Sequence, residues 1–220
     1  MRKHVLKLMM SALLMVLVVP CMNAQDKQDE QKVQNSNVKV GYILCEGDTV
    51  VSPADFDSLN INALGVVFYV ENSGGHGCVV SLQDEGQFTW GGYGTDTKLD
   101  NYSNRSSASD DLDGKKNTQT ILELDTIYPA FDAVDFENGW YLPAAGQLKR
   151  LYKNLKDVNA SLEKVGGYPV KPIGVTYWSS TEYSDIDAWY LITIGGLEYT
   201  SDGYYDHKNG ARLVRSVRDF

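Results

Sequence analysis

The chain has 220 residues, of which 43% are hydrophobic and 22% charged, and its 20 Lys and Arg stand against 29 Asp and Glu for a net charge of −9. An acidic chain with no Lys/Arg cluster argues against nucleic acid and against anionic membrane surfaces as partners. The same balance suits solubility and names no partner.

Residues 1–24 read as a secretory signal peptide. Arg2, Lys3 and Lys7 form a positive start, an apolar run extends from Leu8 to Val19, and Pro20 breaks it. That run is too short to span a bilayer. Cleavage after Ala24 leaves Gln25 at the new N-terminus. A rival reading acylates Cys21 and anchors the protein, although Pro20 stands where that processing wants a small residue. The mature chain then keeps about 196 residues, with 17 basic against 29 acidic ones, a net of −12. It is long enough for one domain with a real core. It is expected in the periplasm, on the outer surface or outside the cell, without direct membrane insertion.

Residues 25–37 ("QDKQDEQKVQNSN") are polar, have no apolar period and read as a flexible linker. A single domain is expected over 38–220. "VKVGYILC", "LGVVFYVEN" and "GCVVSLQD" carry the β-branched and aromatic content of strands, and "SPADF" between the first two reads as a turn or short helix. From Gln87 to Lys116 the chain is rich in Gly, Ser, Asn and Asp, which predicts a long surface loop. Asn117 or Thr118 then caps a helix with Ile121 and Leu124 inward, and "PAFDAVDF" continues it after a break. In "GWYLPAAGQLKRLYKNLKDVNASL", Leu148, Leu151, Tyr152 and Leu155 fall at i, i+3, i+4 and i+7, one stripe of an amphipathic helix with Pro143 in its first turn. "TYWSSTEY", "AWYLITI", "GLEYTS" and "ARLVRSVR" read as four closing strands. Gly195 and Gly196 signal a hairpin turn, and "SDGYYDHKNG" reads as a loop. Strands, then helices, then strands is an α+β order without βαβ alternation.

Catalytic and metal chemistry find little support. Cys45 and Cys78 both flank apolar strand-like runs; export permits a disulfide, and two buried thiols fit the same pattern. There is no CxxC or Cys/His cluster for zinc. "SDDLDG" brings carboxylates together but lacks the spacing of a calcium loop, so a solvated acidic loop is expected. The mature chain has only His76 and His207, and no G-x-S-x-G elbow. "GGYG" has no Lys-Ser/Thr after it and is no phosphate loop. Nothing in the spacing of the carboxylates singles out an acid and a base for glycoside hydrolysis. No cofactor and no catalytic residue is expected.

Several motifs occur in an order that resembles the Lcl C-terminal domain family, named for the end of a bacterial collagen-like adhesin. They are "NTQTI", "YPA", "GWYLPAAGQLKRLY", "YWSSTEY", "AWY" and "VRSVR". The resemblance covers about Val38 to Phe220 and is strongest from Asn117 onward. It implies a C-type-lectin-like fold, with a twisted antiparallel sheet, two helices and long irregular loops, on an exported or surface protein of bacteria. The sugar-binding calcium motifs of C-type lectins are missing. The formylglycine-generating enzymes, related to C-type lectins in fold, need a reactive cysteine pair late in the domain, where this chain has none. "TSDGYYDHKNG" before "VRSVRDF" also looks like the variable patch that diversity-generating retroelements build on such domains.

The aromatic residues decide where a site can lie. Alternation along strands makes Trp178 and Trp189 anchors of the core, and Trp140 another from its place before the helix. Tyr183, Tyr199, Tyr204 and Tyr205, with Asp185, Asp187, His207 and Asn209, have the Tyr-rich, adaptable composition of a binding surface. The expected function is non-enzymatic capture of a glycan or a host or cell-surface protein through these residues. The alternatives are a structural subunit of a surface assembly, a variable binding protein diversified by a retroelement, and an enzyme of unknown type.

Overall fold

The computed structural model describes residues 37–71, 74–171, 174–194 and 200–220, with backbone alone at 193–194 and 200–202. The expected signal peptide, Cys21, the linker up to residue 36, the Gly195–Gly196 turn and Tyr199 lie outside the described residues.

The α+β class holds, with a different arrangement of parts. Two sheets are present where the resemblance implied one. The first has the order β2-β1-β3-β4-β11-β6 and pairs antiparallel throughout. Its strands are β1 (Ile43–Cys45), β2 (Thr49–Val51), β3 (Ala63–Val70), β4 (Gly77–Ser81), β6 (Trp140–Tyr141) and β11 (Val217–Asp219). The second has the order β5-β10-β7-β8-β9, from β5 (Gly86–Thr89), β7 (Thr176–Glu182), β8 (Asp187–Ile194), β9 (Thr200–His207) and β10 (Ala211–Val214). Its β10/β7 pair is parallel, so this sheet is mixed.

Six α-helices occur among the described residues, against the two implied: α1 (Pro53–Phe56), α2 (Arg105–Asp110), α3 (Gly114–Leu122), α4 (Pro129–Asp132), α5 (Ala145–Lys153) and α6 (Leu155–Lys164). The stripe of Leu148, Leu151, Tyr152 and Leu155 is buried as its spacing requires, but the expected single helix is two. Asn154 breaks it, because its side-chain amide donates to the Phe68 carbonyl of β3 at 2.9 Å and to Arg150 at 3.3 Å. Pro143 lies before this helix rather than in its first turn.

Helix α3 starts before the expected caps. Thr118 sits inside it, donating to the Gly114 carbonyl at 2.8 Å and accepting from the Leu142 amide at 3.1 Å. Gly114 is required at the start, since a Cβ there would come within 2.3 Å of Gln147 Oε1 and 2.7 Å of the Ala144 nitrogen.

Helices α5 and α6 pack between the sheets. Their apolar side chains join Val66, Phe68 and Val80 of the first sheet to Tyr177 and Leu191 of the second. On the other face of the second sheet, Ile121, Tyr128 and Phe131 pack with Trp90, Trp178 and Val214. Burying this much apolar surface is the main favourable term in folding.

Two further expectations are corrected. The stretch from Gln87 to Lys116 contains most of β5, all of α2 and the start of α3, and Trp90 and Thr97 within it are fully buried. "ARLVRSVR" is two strands in different sheets. The crossing is at Arg215 and Ser216, where the buried Arg215 guanidinium bonds the Ser81 carbonyl, Asp84 and the Tyr168 carbonyl. Of the two readings left open for Cys45 and Cys78, the structure has the free buried thiols, on strands separated by β3.

Candidate functional site

The site grows from the pairing of β8 with β9, which runs in unbroken antiparallel register from Asp187↔His207 to Ile194↔Thr200. The "SDGYY" expected to be a loop is therefore strand. Pairing with a strongly apolar neighbour overrides the turn propensity of Ser, Asp and Gly. Strand β9 is the last of its sheet, so among the described residues its outer edge has no strand partner.

Alternation then divides the expected binding residues. On one face, Tyr205 lies flat on Tyr183, and both meet Trp189 edge-on, at 5.5 and 5.7 Å between centroids. The hydrogen bond to Tyr205 holds the Tyr183 phenol above its usual range. Trp189 is buried and donates from Nε1 to the Tyr102 carbonyl at 2.8 Å, so it is a structural anchor as expected, and it also lines the site. Farther along the same face, Asp187 pairs with His207 Nδ1 at 2.8 Å, and the His207 ring meets Tyr93 at 5.8 Å.

On the other face, Tyr204 lies against Tyr190 with centroids 6.2 Å apart. The Arg212 guanidinium stands over Tyr190 at 3.6 Å and over Trp178 at 4.8 Å, and also pairs with Asp206. Burial lowers its pKa. Trp178 is fully buried, with Nε1 bonded to the Phe88 carbonyl at 3.0 Å.

The two faces meet at the edge. Helix α2, capped by Asn104 Oδ1 on the Ser107 nitrogen at 3.0 Å, places Arg105 over the Tyr204 ring at 4.8 Å. Asn104 and Arg105 form one wall of a groove of about 330 Å³, and Tyr183, Trp189, Tyr204 and Tyr205 form the other. Gly203 lies in that wall, where a Cβ would touch the Trp189 ring at 3.5 Å.

Beneath the β7–β8 turn is a buried ion pair. Lys208 contacts the Glu182 carboxylate, bonds the Asp185 carbonyl at 3.0 Å and lies 4.6 Å from the Trp90 ring centroid. Thr97 donates to the other carboxylate oxygen at 2.5 Å. Burial pushes the Glu182 carboxyl up, and its bonds to Lys208 and Thr97 pull it back. Asp185 contributes through its backbone, and its side chain is exposed.

Of the expected residues, then, Tyr183, Tyr204 and Tyr205 line one groove. Asp187 and His207 form a separate pair, Asn209 is exposed in the turn after β9, and Tyr199 is outside the described residues. Sequence reasoning missed Arg105, whose only local signal is the Asn cap before it. It also missed Lys208 and Glu182, which join across 26 residues.

The arrangement offers contact area and hydrogen bonds more than reaction chemistry. Burial pushes the Cys78 thiol up to about 12, which removes it as a nucleophile at neutral pH. Asp111 of the acidic run is committed to structure, accepting from Thr181 at 2.7 Å and Asn117 at 3.0 Å. Among the described residues no group of His, Cys, Asp or Glu is placed to hold a metal, and no helix is long and apolar enough to cross a membrane.

A solved fimbrial protein has this fold. Its crystal structure, from Bacteroides ovatus ATCC 8483, superposes with a TM-score of 0.68 at 20% identity, over 84% of this chain and 49% of that one. At that identity the likeness is one of fold, and the chain spans about half the length of the fimbrial protein. No family model and no curated protein matches the chain, so the Lcl resemblance and the C-type-lectin-like assignment rest on the motifs alone.

Proposed function

We propose that this protein is a non-enzymatic subunit of a bacterial surface assembly. The observation that carries this reading is the outer edge of β9. Among the described residues it is unpaired, it contains neither Pro nor Lys, and it displays Tyr204 and Tyr205 at 37% and 48% exposure. An edge of this kind invites addition of a further strand: main-chain hydrogen bonds supply affinity and aromatic pockets supply specificity. The likeness to a fimbrial protein supports the same reading and supports an exported, surface location.

The test is sedimentation velocity of residues 25–220 over a wide concentration range. Concentration-dependent oligomers are expected, and Tyr205→Glu on the strand is expected to abolish them. A strict monomer at high concentration would overturn the reading.

A second reading is capture of a glycan or host protein at the same groove, as the Lcl resemblance implies. It is favoured by Arg105 and Asn104 facing the tyrosines, a combination of rigid rings and hydrogen-bonding groups suited to ligands. Loss of surface capture in a Tyr204→Ala, Tyr205→Ala double variant that remains monomeric and folded would support it over assembly.

A further inference from the structure

Away from β9, the indole of Trp140 stands between two open lobes. One is about 460 Å³ and the other about 680 Å³, and both are lined by Trp140, Leu64 and Asp135. Each volume falls within the roughly 300–1,000 Å³ of ordinary ligand clefts.

The indole is half-buried and packs against the apolar cluster of Val38, Leu44 and Val67. Strand β6 holds the Trp140 backbone in register with Arg218 of β11, and the Trp140 backbone nitrogen donates to the Asp135 carbonyl at 3.1 Å. Gly65 of β3 makes room for the ring: a Cβ there would lie 3.0 Å from Trp140 Cη2 and 2.6 Å from the Val80 carbonyl oxygen.

A second ring stands at the rim of the smaller lobe. Tyr168 is 67% exposed, yet its backbone is clamped on both sides. Its nitrogen donates to the Leu82 carbonyl at 2.8 Å, and its own carbonyl accepts from buried Arg215 at 2.8 Å. The clamped backbone fixes where this exposed ring is rooted, so a ligand that stacks on it has only the side chain to order.

The polar lining is mostly composed of acceptors that are already oriented. Asp135 accepts from the Asn138 amide at 2.7 Å, Asp48 pairs with Arg218 at 2.6 Å, and Glu85 accepts from the Ser216 hydroxyl. Each carboxylate keeps further lone pairs for a ligand. Among the described residues the one cation in the lining is Arg218, already paired with Asp48, so an anionic ligand would meet mostly carboxylates. A flat apolar ring beside fixed acceptors complements a pyranose, which has an apolar C–H face and a rim of hydroxyl donors.

We infer that the Trp140 groove is a binding site for an uncharged oligosaccharide, running across the indole from one lobe to the other with Tyr168 as its second platform. The site is separate from the β9 edge and does not depend on assembly there.

The test is calorimetric titration of residues 25–220 with neutral hexasaccharides of glucose, mannose, xylose and N-acetylglucosamine. At least one is expected to bind. Tyr168→Ala, a surface change that should leave the melting temperature unaltered, is expected to weaken it about 10-fold or more, since truncating a central aromatic contact costs on that scale. Trp140→Phe, which keeps a ring in place, is expected to weaken it less than Trp140→Ala does. Tyr205→Ala should bind the sugar as the unaltered protein does, whatever it does to assembly. Failure of every saccharide to bind would overturn the inference, as would equal binding by the folded Tyr168→Ala and Trp140→Phe proteins. Capture of a Lys-rich peptide in place of any sugar, lost in Asp135→Asn, would overturn it too.

Discussion

Tyr205 lies flat against Tyr183, with ring centroids 3.8 Å apart and planes 8° apart, although β8 separates β9 from the strand that Tyr183 follows. The stack bridges over Trp189 and holds two partly exposed rings as one surface. Rings fixed in this way keep little rotamer freedom to lose when a partner arrives.

That arrangement predicts a separation of stability from association. Tyr205→Ala removes a half-exposed ring and leaves the β8/β9 ladder intact. Thermal denaturation should show a shift of only a few degrees, in keeping with a loss outside the core. Sedimentation should show the oligomer gone.

Trp178 predicts the opposite. It is fully buried, packs edge-on with Tyr190 and donates to the Phe88 carbonyl. Trp178→Ala should cost about 3–5 kcal/mol, as large aromatic truncations in cores do. Urea denaturation of the two proteins side by side measures it.

The Lys208–Glu182 pair lends itself to a comparison of breaking the pair with replacing it whole. Both side chains are out of solvent, at 0% and 2% exposure. Glu182→Gln alone strands a buried ammonium and should cost about 3–5 kcal/mol. Replacing both, as Glu182→Leu with Lys208→Met, removes the uncompensated charge and should cost less than that single change. A double variant less stable than Glu182→Gln would mean that Thr97 and the Asp185 carbonyl depend on the pair for their positions.

Alkaline pH should destabilise the fold through Cys78. Burial raises its thiol from 9.0 to about 12, with the Asp219 charge adding to the effect. The folded state therefore holds this proton where the unfolded state has lost it. The resulting stability is whole below pH 9 and is lost as pH rises from there toward 12. Denaturation midpoints should fall over that window, and Cys78→Ala should flatten the slope. At pH 8, thiol reagents should label Cys78 only after unfolding.

The sequence made some of these elements legible and concealed others for physical reasons. Trp178 and Trp189 were readable as anchors, because alternation in a strand is local information. The stripe from Leu148 to Leu155 was readable as helix on the same ground, whereas its break at Asn154 depends on a carbonyl of β3, 86 residues away. "SDGYYDH" in strand β9 reads as loop in the sequence because edge strands are polar by nature, and only the eight-residue pairing with β8 identifies it. The division of "ARLVRSVR" was hidden because Arg215 finds its partners at Ser81, Asp84 and Tyr168. Tyr204 and Tyr205 line one groove, and their placement on opposite faces follows from the β8/β9 pairing, which the local sequence does not show.

The crossing at Arg215 and Ser216 also bears on when the molecule can become itself. Strand β11, at residues 217–219, lies inside the first sheet between β4 and β6, and β10 closes β5 against β7 in the second. Neither sheet can be completed until the ribosome has made residues near 214–219, well over a hundred positions after β4 and β5. Contacts that distant in sequence form slowly. A nascent chain built to this plan keeps a gap in each sheet until residues 211–219 have been made, so neither sheet can close from its N-terminal strands alone.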